Sequence, residues 1–306
     1  MKPDLSVRIG PLLLQNPVMT ASGTFGFATE YRSLMDVEAL GAVVTKGVSL
    51  QPRSGNRPPR IWETPSGMLN SVGLENPGLE EFLRTKLPAL AAMRPRVIVN
   101  IFGANVEEFS QLAARLDEQP GVDGLEVNIS CPNVSRGGVA FGADPQLAAE
   151  VTAAVRRSTR KALLVKLTPN VTDLVEVARR VAEAGADGLT LINTLRAMAI
   201  DWRTGRVRLG NVIGGLSGPA IRPVAVRAVY EVSRTVKIPL VGCGGICTWQ
   251  DAVEFFRAGA SAVQVGSATF RNPRAANEVL LGIEKFLTDE GMRSIGQLVG
   301  RVEMEP

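Results

Sequence analysis

The chain has 306 residues, 45% of them hydrophobic and 21% charged, and a formal net charge of +4. That balance suits one large α/β domain with a sizeable core, or two small ones; with no block of Lys and Arg, nucleic acid is not an expected partner. No apolar run approaches the roughly 18 residues needed to span a bilayer. No signal peptide is read at the start, and three cysteines do not suggest a disulfide framework, so a reducing cytoplasm fits best.

In chain order, residues 5–9 and 12–14 read as a small β-hairpin, placed to plug one end of a larger fold. Strand-like runs follow at 17–20 and 42–46, then at 97–101, 124–129, 163–167 and 188–192, and last at 239–242 and 262–266. Most are nearly continuous apolar stretches, as expected for parallel strands buried on both faces. Helical patterns lie between them. Residues 147–158 follow Asp144-Pro145. Residues 174–184 follow Thr172 as a candidate cap, with Gly185 as a stop. Residues 251–258 follow Thr248, with Asp251 completing an approximate capping box. Residues 278–288 form a further amphipathic stretch. Eight alternating units predict a closed (β/α)8 TIM barrel in a single domain. An open doubly wound sheet is the alternative, disfavoured by the lack of an early G-x-G-x-x-G. Two segments, 47–78 and 194–224, are too long for ordinary connections and are expected to cover the site as insertions. The first carries Arg53, Arg57 and Arg60, readable as an anion-facing rim or as solvated loop residues.

The strand ends carry polar residues that a packed core does not explain: Lys46, Asn100, Asn128, Lys166 and Asn193-Thr194. In a barrel these converge on the C-terminal mouth, where active sites of this architecture are built. The amides suit a neutral planar ligand with imide or amide edges. The lysines suit an anion, or negative charge developing on a cofactor. After the last two strands come Gly242-Cys243-Gly244-Gly245-Ile246 and Gly266-Ser267-Ala268. Glycines there admit a phosphate close to backbone N–H groups, although tight turns need glycine too.

Asn128-Ile129-Ser130-Cys131-Pro132-Asn133 places a thiol three residues after a strand-end amide, ahead of Gly137-Gly138. The chain has no histidine, so the commonest general base is missing and Cys131 becomes the candidate for proton transfer. Cys243 and Cys247 read as packing residues. With no histidine and no further cysteine nearby, no metal site and no iron–sulfur cluster is expected on this chain.

These motifs, together with Ala21-Ser22-Gly23, Thr45-Lys46-Gly47, the run Asn70-Ser71-Val72-Gly73-Leu74-Glu75-Asn76-Pro77-Gly78, Val165-Lys166-Leu167-Thr168-Pro169-Asn170 and Gly214-Gly215-Leu216-Ser217-Gly218-Pro219-Ala220, span almost the whole chain. In that order they closely resemble the class 1 dihydroorotate dehydrogenases, flavin enzymes of pyrimidine synthesis. The resemblance implies FMN at the barrel mouth and oxidation of dihydroorotate to orotate. By position, Cys131 would remove the C5 proton while hydride leaves C6. Asn70, Asn128, Asn193 and Thr194 would bind the pyrimidine, with Ser71, Val72, Gly73 and Leu74 on the substrate side. Lys46 would meet the substrate carboxylate and border the flavin. Ser22, Gly47, Asn100, Asn128, Lys166, Ile192 and Gly218 would line FMN, and Gly244, Gly245, Gly266 and Ser267 would hold its phosphate.

Phe25-Gly26-Phe27 and Ser66-Gly67-Met68-Leu69-Asn70 resemble the NAD-linked subclass more than the fumarate-using homodimers, which stay as an alternative. That subclass implies a second subunit carrying FAD and a [2Fe–2S] cluster, in a heterotetramer built on a dimer of this chain. One departure is Phe102, where the family pattern has a smaller residue. Apart from the resemblance, a non-redox barrel lyase or isomerase and a non-catalytic flavin scaffold are the competing readings.

Overall fold

The computed structural model describes residues 2–130 and 140–303. The chain opens with a hairpin of β1 (Val7–Ile9) and β2 (Leu12–Leu14), whose alternating buried and exposed residues follow the two-residue period of a half-buried strand. Next come β3 (Val18–Thr20), β4 (Ala42–Val44), β5 (Ile61–Thr64) and β6 (Gly67–Asn70). β7 (Arg96–Ile101), β8 (Gly124–Asn128), β9 (Ala162–Leu167) and β10 (Gly188–Leu191) follow. The last four are β11 (Leu195–Ala197), β12 (Gly214–Ser217), β13 (Leu240–Cys243) and β14 (Ala262–Val265).

Strands β3, β4, β7, β8, β9, β10, β13 and β14 pair in parallel and close into a barrel, β14 returning to β3. They are the eight runs read from the sequence, and closure removes the doubly wound alternative. Ile9 of the hairpin reaches Gly188, the first residue of β10, so the hairpin plugs the N-terminal end as expected.

The helices are α1 (Leu79–Glu81), α2 (Leu87–Ala91), α3 (Val106–Asp117), α4 (Pro145–Ser158), α5 (Leu174–Glu183), α6 (Arg222–Thr235), α7 (Trp249–Ala258) and α8 (Ala275–Asp289). Their starts follow side-chain chemistry. Asp144 caps α4 through the amides of Gln146 and Leu147, ahead of Pro145. Thr248 and Asp251 form a complete capping box on α7. Thr172 does not cap α5. Asp173 does, its carboxylate accepting from the Glu176 amide at 3.0 Å, while the helix starts at Leu174 as expected. A side-chain oxygen that reaches the third helical amide decides the cap.

The two long insertions build one structure. β5 and β6 from the first, and β11 and β12 from the second, form an antiparallel sheet in the order β11-β12-β6-β5. Arg60 braces the first insertion by pairing with Glu75 and donating to the carbonyls of Asn56 and Ser54. Arg53 lies over the buried Phe102 ring, 5.4 Å from its centroid, and Arg57 is exposed. Among the described residues, no helix is long and apolar enough to cross a membrane.

Candidate active site

Polar side chains from six barrel strands meet inside the C-terminal mouth. Lys166 of β9 is 4% exposed, and its Nζ lies 3.2 Å from Gln264 Oε1 of β14 and 3.4 Å from Ser22 Oγ. Cys243 Sγ, at the end of β13, stands 3.7 Å from the same ammonium, and Glu126 Oε1 of β8 stands 3.9 Å from it. Glu126 is fully buried. Its Oε1 accepts from Asn100 Nδ2 of β7 at 2.8 Å, and its Oε2 from Thr190 Oγ1 of β10 at 2.9 Å and Gln264 Nε2 at 2.6 Å. A buried ion needs this density of partners to offset its lost hydration. Burial works against the Lys166 ammonium, but Cys243 and Glu126 outweigh it and hold its pKa above the ordinary lysine value. Burial pushes the Cys243 thiol up, against the opposing pull of Lys166.

The amides form a second group beside it. Asn193 Nδ2 donates to Asn128 Oδ1 at 3.2 Å and to Ser130 Oγ at 2.8 Å, while its Oδ1 accepts from the Thr194 amide. Asn70, at the end of β6, donates to the Gly215 carbonyl across the lid sheet. Gly215 is glycine for a steric reason: a Cβ there would sit 2.2 Å from Thr194 Oγ1. Asn70, Gly215 and Thr194 are therefore one contiguous edge over the mouth. Asn170, which drew no role from its place in the sequence, donates to the Thr194 carbonyl and accepts from the Arg196 amide.

Other candidate residues separate. Lys46 follows β4, its amide bonded to the Gly26 carbonyl, and its ammonium makes no hydrogen bond or ion pair among the described residues. Gly47 faces Asn100 Oδ1 and the Phe102 ring, each 3.0 Å from where a Cβ would lie, so Phe102 fills space that this glycine leaves. Residues 71–74 are held by the first insertion itself. Asn56 bonds to Ser71 and Val72, Arg60 accepts from the Ser71 amide, and Leu74 packs against the core. Cys131 and Gly137-Gly138 lie outside the described residues.

One cavity at the mouth is lined by Ser22, Lys166, Ile192, Asn193, Thr194, Gly218, Gly244, Gly245, Gly266 and Ser267, with Cys243. Gly245 has φ 75°, and a Cβ on it would meet Arg222 Cβ at 2.7 Å and the Gly218 carbonyl at 2.9 Å, so only glycine keeps this wall open. The amides of Gly244, Gly245 and Ser267 donate to no backbone acceptor among the described residues. The cavity thus has a cation in its floor and free N–H groups at one end.

A family model described as dihydroorotate dehydrogenase matches residues 4–287. The chain belongs to the dihydroorotate dehydrogenase family. It is 56% identical over 303 residues to the dihydroorotate dehydrogenase B (NAD(+)), catalytic subunit, of Pelobacter propionicus, covering 99% of this chain and 100% of that one. The proteins of the same name from Trichlorobacter lovleyi and Geotalea daltonii are 55% and 54% identical over 303 residues, each covering 99% of this chain.

Membership of the dihydroorotate dehydrogenase family implies a flavin, and the residues present fit one. The free glycine and serine amides suit a phosphate. The Lys166 ammonium suits the electron-rich part of a reduced ring. No cluster of metal-ligating side chains occurs among the described residues. The sequence alone does not bring Glu126, Gln264 or Thr190 into this site and reads Cys243 as packing. For Glu126 and Gln264 the signal is a charged or amide residue at an inward position of an otherwise apolar strand, as in Gly-Leu-Glu-Val-Asn of β8.

Proposed function

We propose that this chain oxidises dihydroorotate to orotate with bound FMN, as the catalytic chain of an NAD-linked enzyme of pyrimidine synthesis in the cytoplasm. The observation that carries the reading is the cavity in which the Lys166 ammonium and the glycine amides of the last two strand ends lie beside Asn193 and Thr194. When bound, FMN supplies a two-electron acceptor for the hydride that leaves C6. Cys131 takes the C5 proton, so that loss of proton and hydride leaves the C5–C6 double bond. Its place three residues after Asn128 supports that role.

Asn128 and Asn193 are joined by a hydrogen bond, which fixes their orientation toward a planar ring with N–H and C=O edges. Asn70 and Thr194, coupled through Gly215, bind the same ring from the lid side, with residues 71–74 closing over it. Lys46 neutralises the substrate carboxylate and borders the flavin with Gly47. Ser22, Asn100, Lys166, Ile192 and Gly218 contact the flavin, and Gly244, Gly245, Gly266 and Ser267 hold the phosphate.

Electrons leave through a separate subunit carrying FAD and a [2Fe–2S] cluster, in a heterotetramer with a dimer of this chain at its centre. The arm between β11 and β12 supports assembly with another chain: Met198, Ile200 and Trp202 are 45%, 53% and 82% exposed, an apolar surface of the kind that marks interfaces.

The test is an anaerobic visible spectrum of the purified chain before and after adding dihydroorotate. A flavin band that bleaches is the expected result. A protein that binds no flavin after FMN is supplied, or a band that persists even with the partner subunit present, overturns the reading. The isolated chain is expected to reduce NAD⁺ poorly, and efficient reduction by it alone removes the need for a partner.

A further inference from the structure

Glu126 takes no part in the proton or hydride transfer proposed for this site, yet it is fully buried at the centre of the mouth. Its distance to Lys166 Nζ, 3.9 Å, is too long for a direct hydrogen bond. Its influence on that lysine runs through an amide. An ionised carboxylate only accepts hydrogen bonds. Gln264 therefore turns its Nε2 to Glu126 at 2.6 Å, which leaves its Oε1 facing Lys166 Nζ at 3.2 Å. The reversed amide would put an NH2 group against the ammonium. Asn100 is set in the same way. Its Nδ2 donates to Glu126 at 2.8 Å, so its Oδ1 is the atom presented toward Gly47 and the mouth. Thr190 completes the shell from β10.

We infer that Glu126 is a positioning residue: it fixes the direction of two amides and through them aims the Lys166 ammonium and the Asn100 carbonyl oxygen at the flavin. The inference rests on the flavin reading above. A lysine side chain is a compact charge on a flexible stem. The ion stays in place because acceptors surround it, and the Gln264 acceptor exists only while Glu126 claims the other end of that amide. Glu126→Gln keeps the shape but brings a donor into an all-acceptor position. Its NH2 group then faces either Asn100 Nδ2 or the pair Gln264 Nε2 and Thr190 Oγ1, so the acceptor shell is broken and the cation is no longer held toward the ring.

The experiment measures the reduction potential of bound FMN by dye-equilibrated anaerobic titration, in the wild-type protein and in E126Q, E126D, K166M and K166M/E126Q. Loss of a fixed cation disfavours the reduced flavin. E126Q is expected to move the two-electron equilibrium at least tenfold toward the oxidised form, about 30 mV downward. In the K166M background the same change is expected to add nothing, as a double-mutant cycle requires when one residue acts through the other. E126D keeps the charge but loses reach, and is expected to lower the potential as well; it carries the test if E126Q does not fold. A higher potential in E126Q makes Glu126 a counter-charge that offsets Lys166 and overturns the positioning role. An unchanged potential in either folded variant reduces Glu126 to packing and overturns it too. Wild-type protein that binds no flavin, or whose flavin dihydroorotate does not bleach, fails the functional reading; a wild type that passes both with unshifted variants fails this inference alone.

Discussion

Gly215→Ala tests whether the lid sheet and the proposed substrate-binding amides form one unit. The added methyl would lie 2.2 Å from Thr194 Oγ1, 2.8 Å from Thr194 Cβ and 3.3 Å from Thr194 Cγ2. Ordinary van der Waals contact starts at 3.4 Å, so Thr194 must retreat by more than an ångström or β11 and β12 must part. Overpacking of this kind costs about 1–3 kcal/mol. Taken entirely from substrate binding, that weakens the affinity for dihydroorotate by about 5- to 150-fold, at 1.4 kcal/mol per factor of ten. The glycine cradle lies elsewhere in the cavity, so flavin content should hold. The assay is anaerobic stopped-flow bleaching of the flavin against dihydroorotate concentration, with flavin content read from the same spectra. Thr194→Ala in the G215A background removes Oγ1 and Cγ2 and should recover part of any loss in melting temperature. Unchanged half-saturation together with an unchanged melting temperature in G215A would refute the coupling.

Cys131→Ala should retain FMN but slow flavin reduction by about 10²- to 10⁴-fold, the usual worth of a positioned base; near-normal bleaching in stopped flow removes Cys131 from that role. Alkaline pH should destabilise the protein, because Lys166 and Cys243 both have folded-state pKa values above their unfolded values of 10.5 and 9.0. Stability from a raised pKa is complete below the unfolded value and is lost as pH rises through the folded one. The melting temperature should therefore fall from pH 9.0 upward, and Cys243→Ala should flatten the first part of that fall; a flat wild-type profile to pH 11 in differential scanning calorimetry, a pH of about half a unit above the reference lysine value, contradicts the assignment. Thr248→Ala removes the side chain that caps α7 through the Asp251 amide. It should cost about 1 kcal/mol, seen as a melting temperature lower by about 2 °C, and an unchanged melting temperature would show the cap to be dispensable.

The barrel was legible because its strands are short apolar runs at regular intervals, and buried parallel strands allow little else. Closure was not legible from any one strand; it came from counting them. Thr172 shows where local reading stops, since Thr172 and Asp173 are both good caps and only the geometry of the first turn chooses between them. Helix α6 starts without a side-chain cap, and Pro223 in its first turn is the local mark of its beginning at Arg222. The amides of the rim and Lys166 in the floor were legible as polar residues at strand ends. The rest of the floor was not. Glu126 sits in an apolar strand, and one buried charge is indistinguishable from a misplaced surface residue until Asn100, Thr190 and Gln264, from three other strands, are seen around it. Gly215 belongs to a motif of the sequence, but its reason is Thr194, in the loop just before β11.

The lid sheet has a consequence for synthesis. β6 pairs with β12 through residues as far apart as Asn70 and Gly215, a separation of 145 positions. At roughly 5–20 residues per second, the hairpin of β5 and β6 waits on the order of ten seconds for its neighbour to leave the ribosome. During that time β6 is an open edge, the feature that invites pairing with other chains. Its four residues begin with glycine, and so short an edge makes a poor template while the nascent barrel waits to be roofed.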